Sequence, residues 1–559
     1  MKVTTPMIYR ALLIASLTFF FSSCYKDLGN SVYDESIEDI QVKLDAQFRT
    51  RKPFSPTTFE ITPTITTPSG KQHDLEYEWY INPNNPTHGE AKGTLVGTDP
   101  VLTFNLDPND ESTPLPDVYY IRLYVTDKTN GTLTLRNSEL VLTNPFSYAW
   151  AILHARDGHS EIGTVEYDDG NTINTPDAYS QESGKILKGE PLGLNVRQDA
   201  FTGGGFQKAY ASQLYVRTTD LTASGLIIPT EGFRLAVPWK GLISGAELSN
   251  FDPKDVHFGA GNEGVIFASK GNVFTNNAYG AAFYRSTPDA EDLPGETYIS
   301  NLTVGAKYGV GYDSASHRFV ITESSGYMAW QDMFAKDAAP GSAPITKIRD
   351  DEDNVVSPYN IPTQYKLVDM FDGYFYGSSG TMPWAAYILY AYMIDDTESH
   401  VYTIRSREIH ASKFQKEAPM GQVYSFPKPA NVNEHTLMTT GPQYAYILFY
   451  ADGNTVYRHD LATGSSTPIY THDTPGATIT ALRMAVQGYQ GFDEEGEAEK
   501  RYGHPFGQTL AVGFTIGADQ GELVVLQLDN TGSIEAEDKL YPSVQVYKGY
   551  GPIKSIGFI

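Results

Sequence analysis

Cysteine is nearly absent. Cys24 is the only one in 559 residues, which excludes an intrachain disulfide and any site built from paired thiolates. Basic charge is also scarce: 41 Lys and Arg face 67 Asp and Glu, for a net charge of −26. The chain therefore lacks the basic face that binding a phosphate backbone demands, and nucleic acid is excluded as a partner. No apolar run is long enough to span a bilayer. The most sustained, Ala11 to Phe21, has roughly 11 residues where a span needs about 20. Signatures of catalysis are missing too. There is no HExxH to hold zinc from one helix face, no G-x-x-x-x-G-K-[ST] phosphate cradle and no G-x-S-x-G nucleophile elbow. Gly377-Ser378-Ser379-Gly380 has the wrong spacing for that elbow. These absences point away from an enzyme and imply no cofactor.

What is present begins at the N-terminus. Lys2 and Arg10 precede the apolar run, and Ser22-Ser23-Cys24 follows it. The arrangement resembles a bacterial lipoprotein signal, in which cleavage before a cysteine frees it for acylation. The resemblance implies a signal peptide over 1–23, lipidation of Cys24 and a tether over 24–36. Several fatty chains on one residue anchor a protein stably where one is marginal. Tyr25-Lys26-Asp27 places a basic–acidic pair behind the cysteine. That pair resembles the surface-export signal of lipoproteins from the Bacteroidetes. The expected location is the outer membrane, lipid-anchored and facing the cell exterior.

The remainder is rich in aromatic residues (13%, with 38 Tyr), which favour strands and also offer flat faces to ring-bearing ligands. Over 37–145, IEDIQVKL, TFEITPTI, LEYEWYIN, VLTFNL, YYIRLYVTD and ELVLT alternate apolar and polar residues. TTPSGK, NPNNPTHGE and DKTNG between them are turn chemistry. Such a succession of short strands predicts a β-sandwich. Trp79 is placed as its core tryptophan, and Asp117-Val118-Tyr119 as a tyrosine corner. YEWYIN followed by YYIRLYVTDKTNG resembles the PKD-like, immunoglobulin-type modules of bacterial surface proteins, which usually act as spacers.

Pro145 ends that pattern, and 146–559 repeats a different unit: apolar strand, short polar turn, second strand. It occurs as YAWAILHARDGHSEIGTVEY, LYVRTTDLTASGLIIPT, EGVIFASKGNVFTNN and YGVGYDSASHRFVITE. It returns as AAYILYAYMIDDTESHVYTIRS, YAYILFYADGNTVYRHDL and LAVGFTIGADQGELVVLQLD. Asp157-Gly158, Lys270-Gly271-Asn272 and Asp452-Gly453-Asn454 suit tight hairpins. Recurrence at roughly 45–80 residues predicts an all-β chain whose second domain is a β-propeller of seven blades. The terminal GPIKSIGFI reads as a lone strand that closes the ring on the first blade. A large β-sandwich or a β-solenoid is the alternative.

The whole layout, from CYKD through EYEWY to YKGYGPIKSIGFI, resembles the PKD-like family lipoproteins of Bacteroidetes. The resemblance implies an accessory surface lipoprotein of uptake systems built from a TonB-dependent channel and a lid lipoprotein (SusC/SusD type). Its ligand, whether glycan, peptide or siderophore, stays open. So do two other functions: a structural or protein-interaction scaffold in an envelope complex, and a polymer-degrading hydrolase or lyase.

The candidate ligand contacts are aromatics near turns: Trp239 in AVPWKG, Trp330 in GYMAWQD, Tyr374 and Tyr376 in FDGYFYGSSG, and Trp384 in TMPWAAY. His154 and His159 flank a hairpin turn and read as exposed turn residues, without a third ligand for a metal. Asp350-Asp351-Glu352-Asp353-Asn354 is the densest carboxylate run. It lacks the alternation of a calcium loop and reads as a solvated loop. The charged insertion over 492–504 reads as an exposed hairpin or a lid-like loop.

Overall fold

The computed structural model describes residues 40–559 apart from 84–91, 109–114, 117, 144, 147, 169, 201–210, 244–246, 259–264, 277–281, 292, 305–307, 324–344, 349–355, 376–386, 406–419, 486–506 and 538–539. The expected signal region, Cys24 and Asp117 lie outside the described residues. The fold is all-β, in two compact units, 1–142 and 143–559. Among the described residues no helix is long and apolar enough to cross a membrane.

The first unit is a sandwich. One layer is a five-stranded antiparallel sheet that includes Leu75–Asn82, Val118–Asp127 and Thr132–Thr143. Two short antiparallel pairs face it, Gln41–Lys43 with Thr64–Thr66 and Thr57–Ile61 with Leu102–Leu106. The alternation seen in sequence sets the layers: along Val118–Asp127 every second residue, from Tyr119 to Asp127, is buried. Trp79 is fully buried among Ile61, Leu102, Leu123, Val125 and Leu140, and its indole N–H donates to the Asp99 carbonyl at 2.9 Å. Tyr119 is buried edge-on against Phe104.

The second unit holds seven four-stranded antiparallel sheets in chain order, the blades of a propeller. Blades 2 to 7 span 191–238, 257–286, 299–347, 366–427, 438–471 and 477–550. Blade 1 takes three strands from 149–175 and its fourth, Ile553–Phe558, from the end of the chain. Middle strands such as Ala149–Arg156 and Thr509–Ile516 are apolar almost without interruption because neighbouring blades bury both of their faces. Tight hairpins connect the strands. Asp157-Gly158 and Lys270-Gly271 both carry positive φ, the backbone that a two-residue primed turn requires.

Side chains stitch the inner strands of adjacent blades. Thr480 Oγ1 donates to the Ile553 carbonyl at 2.6 Å, joining blade 7 to blade 1, and Ser555 Oγ to the Leu194 carbonyl at 3.0 Å, joining blade 1 to blade 2.

Candidate functional site

The first strand of blades 2 to 7, and Ile553–Phe558 in blade 1, is the inner edge of its sheet. One side of each inner strand has no pairing partner and borders the propeller axis, where polar groups meet water rather than apolar packing. A set of charged and amide side chains gathers there from five blades. They are Asn195 (blade 2), Lys254, Asp255 and His257 (leading into and opening blade 3), Asn301 (blade 4), Asp369 and Asp372 (blade 5) and Arg483 (blade 7).

Lys254 Nζ donates to Asp369 Oδ1 at 2.9 Å and lies 3.3 Å from the Val368 carbonyl. This link runs from the segment leading into blade 3 to blade 5, past the inner strand of blade 4. Asn301 Nδ2 of the bypassed blade donates to the same oxygen at 2.8 Å, and so does the Met370 backbone N–H, also at 2.8 Å. In blade 2, Asn195 Nδ2 donates to Asp255 Oδ1 at 3.1 Å, while its own oxygen accepts the Val256 N–H at 3.2 Å. Arg217 lies behind, donating to the Lys254 carbonyl at 3.2 Å and pairing with Asp252 at 3.5 Å.

A second group is left open to the channel. Among the described residues, the side chains of His257, Asp372 and Arg483 make no hydrogen bond or contact ion pair, and Asp255 Oδ2 accepts none; the His257 Nε2 atom is buried and unpartnered. Asp255, His257 and Arg483 are half-buried and Asp372 is exposed. Burial raises the Asp255 carboxyl, but Arg483, then His257, the Asn195 bond and Lys254 outweigh it and hold it below its ordinary value. Burial lowers His257 further than Asp255 and Asp372 raise it. Asp369 moves the other way: burial raises it, reinforced by Asp255 and only partly opposed by Lys254.

The structure corrects two of the sequence expectations. Trp239 offers no stacking face. It is fully buried between blades 2 and 3, 4.6 Å from Phe251 by ring centroid, with its indole N–H donating to the Val216 carbonyl at 2.7 Å. A one-turn helix, Trp239–Leu242, begins at the residue after Pro238 and has Trp239 and Leu242 as its buried residues. His154 is likewise a core residue rather than a turn residue. Its Nε2 donates to the Pro176 carbonyl at 2.8 Å, and its Nδ1 accepts the Gly551 N–H at 3.0 Å. His159 is half-buried beside the turn. Tyr374 lies in the inner strand of blade 5, two residues beyond Asp372. Trp330, Tyr376 and Trp384 lie outside the described residues, as do 350–354, 377–380 and 492–504.

Among the described residues, one group has ligand atoms close enough for a metal: Asp395, Glu398 and His400, at a blade 5 hairpin. Its geometry is that of a turn satisfied from within. Asp395 Oδ1 accepts the Thr397 and Glu398 N–H groups at 2.8 and 2.7 Å, which hold its carboxyl down at about 2. His400 bonds Ser425 Oγ at 2.9 Å and stacks on Tyr365.

Sequence reading missed the channel set. One signal was available: Asp255 and His257 stand at alternate positions, with Lys254 beside them, in DPKDVHF, and Asp369 and Asp372 interrupt KLVDMFDGY. Charged residues inside a strand that should be buried on both faces mark an axial edge.

A model of the PKD-like family matches residues 24–191, which take in the sandwich and the three strands of blade 1 that come from 149–175. No curated protein matches the chain. Solved structures similar to it include a quinonprotein alcohol dehydrogenase-like protein from Bacteroides thetaiotaomicron VPI-5482 (13% identity, 92% of this chain and 96% of that one, TM-score 0.39). Another is the extracellular domain of a putative one component system from B. thetaiotaomicron (10% identity, 79% of this chain and 56% of that one, TM-score 0.34). A third is a dihydro-heme d1 dehydrogenase (8% identity, 74% and 76%, TM-score 0.31).

Proposed function

We propose that this chain is a surface-exposed, lipid-anchored binding protein of the outer membrane. It takes a small nutrient ligand in the polar channel of its propeller and serves a TonB-dependent SusC/SusD-type transporter. The observation that carries the binding role is the channel set itself. Lys254 and Asp369 are tied together past blade 4, and Asn195 holds Asp255, while His257, Asp372 and Arg483 keep side-chain hydrogen-bonding capacity unused. Polar groups left unsatisfied at a propeller axis are what a polar ligand completes. Binding fits these residues better than catalysis, because His257, the imidazole of the set, activates no hydroxyl: it makes no hydrogen bond among the described residues. The anchor and address rest on Cys24 and the residues around it.

Mild-detergent purification of the tagged full-length chain from outer membranes, followed by mass spectrometry of its companions, tests the uptake role. Recovery of a TonB-dependent channel and its lid lipoprotein supports it. Recovery of the chain alone, or with a constant set of envelope proteins that does not change with nutrient, contradicts it and favours a scaffold.

A further inference from the structure

The sandwich carries a second candidate surface, independent of the propeller axis. Along Val118–Asp127 the residues that alternate with the buried set, among them Arg122 and Tyr124, point away from the core. Strand register extends this outer face over four strands. Leu135 stands opposite Tyr124, and Tyr80 of Leu75–Asn82 stands between Arg122 and Leu95 of Thr94–Gly97. The solvent side of an antiparallel sheet is ordinarily polar. Here Leu133, Leu135, Tyr124, Tyr80 and Leu95 make a diagonal apolar stripe, its leucines 61%, 42% and 48% exposed in that order. Tyr80 and Tyr124 brace one another edge to face, with ring centroids 5.6 Å apart and planes at 81°.

Size and charge together identify what covers the stripe. It crosses four strands about 4.8 Å apart and is two or three residues deep, roughly 15 by 10 Å. That is well short of the about 800 Å² per partner that a stable protein interface needs, so neither a second copy nor another protein is held by it. Charge on the face balances: Glu76, Glu78 and Glu139 stand against Lys92, Arg122 and Lys128. Glu78 pairs with Lys92 and Glu76 with Lys128, each at 3.3 Å. No net charge is left to recruit an ionic ligand. Beside Tyr124, Arg122 and Asn137 stand opposite one another across two strands, and among the described residues their side chains make no hydrogen bond. A guanidinium and an amide side by side offer donors and an acceptor to a pair of neighbouring hydroxyls.

We infer that the outer face of the sandwich binds a neutral oligosaccharide, one sugar ring stacked on Tyr124 and its hydroxyls bonded to Arg122 and Asn137.

A flat aromatic face flanked by free hydrogen-bonding groups suits a molecule that is apolar on its ring faces and polar at its edges. Lys92 covers the platform loosely. Its Nζ lies 4.4 Å from the Tyr124 centroid and 5.1 Å from that of Tyr80, on a side chain 51% exposed. An exposed cation–π contact is weak, and the sugar ring displaces it.

The test is calorimetric titration of the full-length chain in detergent with neutral malto-, cello-, xylo- and manno-oligosaccharides, and with anionic oligogalacturonate. At least one neutral series is expected to bind, and oligogalacturonate to bind more weakly. Tyr124→Ala and Arg122→Gln should each weaken binding at least about tenfold, the loss of one stacking or bidentate contact. Lys92→Met should leave it equal or tighter, and Asp255→Asn, at the propeller axis, should leave it unchanged. The neutral-against-anionic comparison needs no variant, so it stands even if one of these folds poorly. No binding of any neutral series, or preference for oligogalacturonate, overturns the assignment. So does binding that survives Tyr124→Ala and is lost with Asp255→Asn, which would move the sugar to the axis. A dimer in analytical ultracentrifugation that Tyr124→Ala dissociates would give the face to a second copy and overturn it as well.

Discussion

The Gly551 N–H donates to His154 Nδ1 at 3.0 Å, across 397 residues of chain, at the seam where the C-terminal strand completes blade 1. Gly551 has no room for more. A Cβ there would lie 1.8 Å from the Ala155 carbonyl oxygen, a backbone atom that cannot swing aside. Gly551→Ala should therefore lower the stability of the propeller by about 2–3 kcal/mol, the cost of overpacking a close backbone approach. Chemical denaturation followed by intrinsic fluorescence reads it, and an unchanged midpoint would show that the seam yields.

The same histidine makes the ring sensitive to acid. Burial lowers His154, and burial lowers His459 to about 4, so the folded state holds both imidazoles neutral. The unfolded chain binds protons near pH 6.5, above the folded values, so this stability is complete above pH 6.5 and is lost as pH falls towards 4. His459→Phe should flatten that loss by about 2–3 kcal/mol at pH 4 while changing little at pH 8. Parallel melts of the two chains from pH 8 to 4 check it; identical slopes would contradict it.

Lys254 and Asp369 join non-neighbouring blades, but the Lys254 side chain is 48% exposed. Their contribution to stability should be modest, about 0.5–1 kcal/mol of coupling in a double-mutant cycle of Lys254→Met and Asp369→Asn. A coupling several times larger would make the link a structural clamp rather than part of a ligand site.

Trp239 belongs to the packing and not to recognition. Trp239→Ala should cost about 3–5 kcal/mol, and Trp239→Phe about 1 kcal/mol beyond the lost volume, for the indole bond to Val216. Ligand affinity of the folded Trp239→Phe chain should match that of the parent. Calorimetry and urea denaturation together separate the two effects.

The architecture was legible because it is written locally. Alternation along YYIRLYVTD set the sandwich face, and apolar strand–turn–strand units such as YAWAILHARDGH set the blades. GPIKSIGFI showed the closing strand, which pairs with Ala149–Arg156. The site was not legible for the opposite reason. Lys254 and Asp369 are far apart in sequence and meet only once a ring of blades brings their inner edges together. Trp239 misled because a tryptophan after proline near a turn reads as exposed, while the turn of helix that follows carries it into the core between two blades. His154 misled in the same way: its partners, Pro176 and Gly551, come from distant parts of the chain.

The most direct test of the channel as a ligand site is native mass spectrometry of the full-length chain purified from its own membranes, compared with the Asp255→Asn/Arg483→Gln double variant. A small molecule retained by the parent and lost by the double variant, with folding unchanged by circular dichroism, is the predicted result. The same adduct on both chains, or none on the parent, would contradict the account.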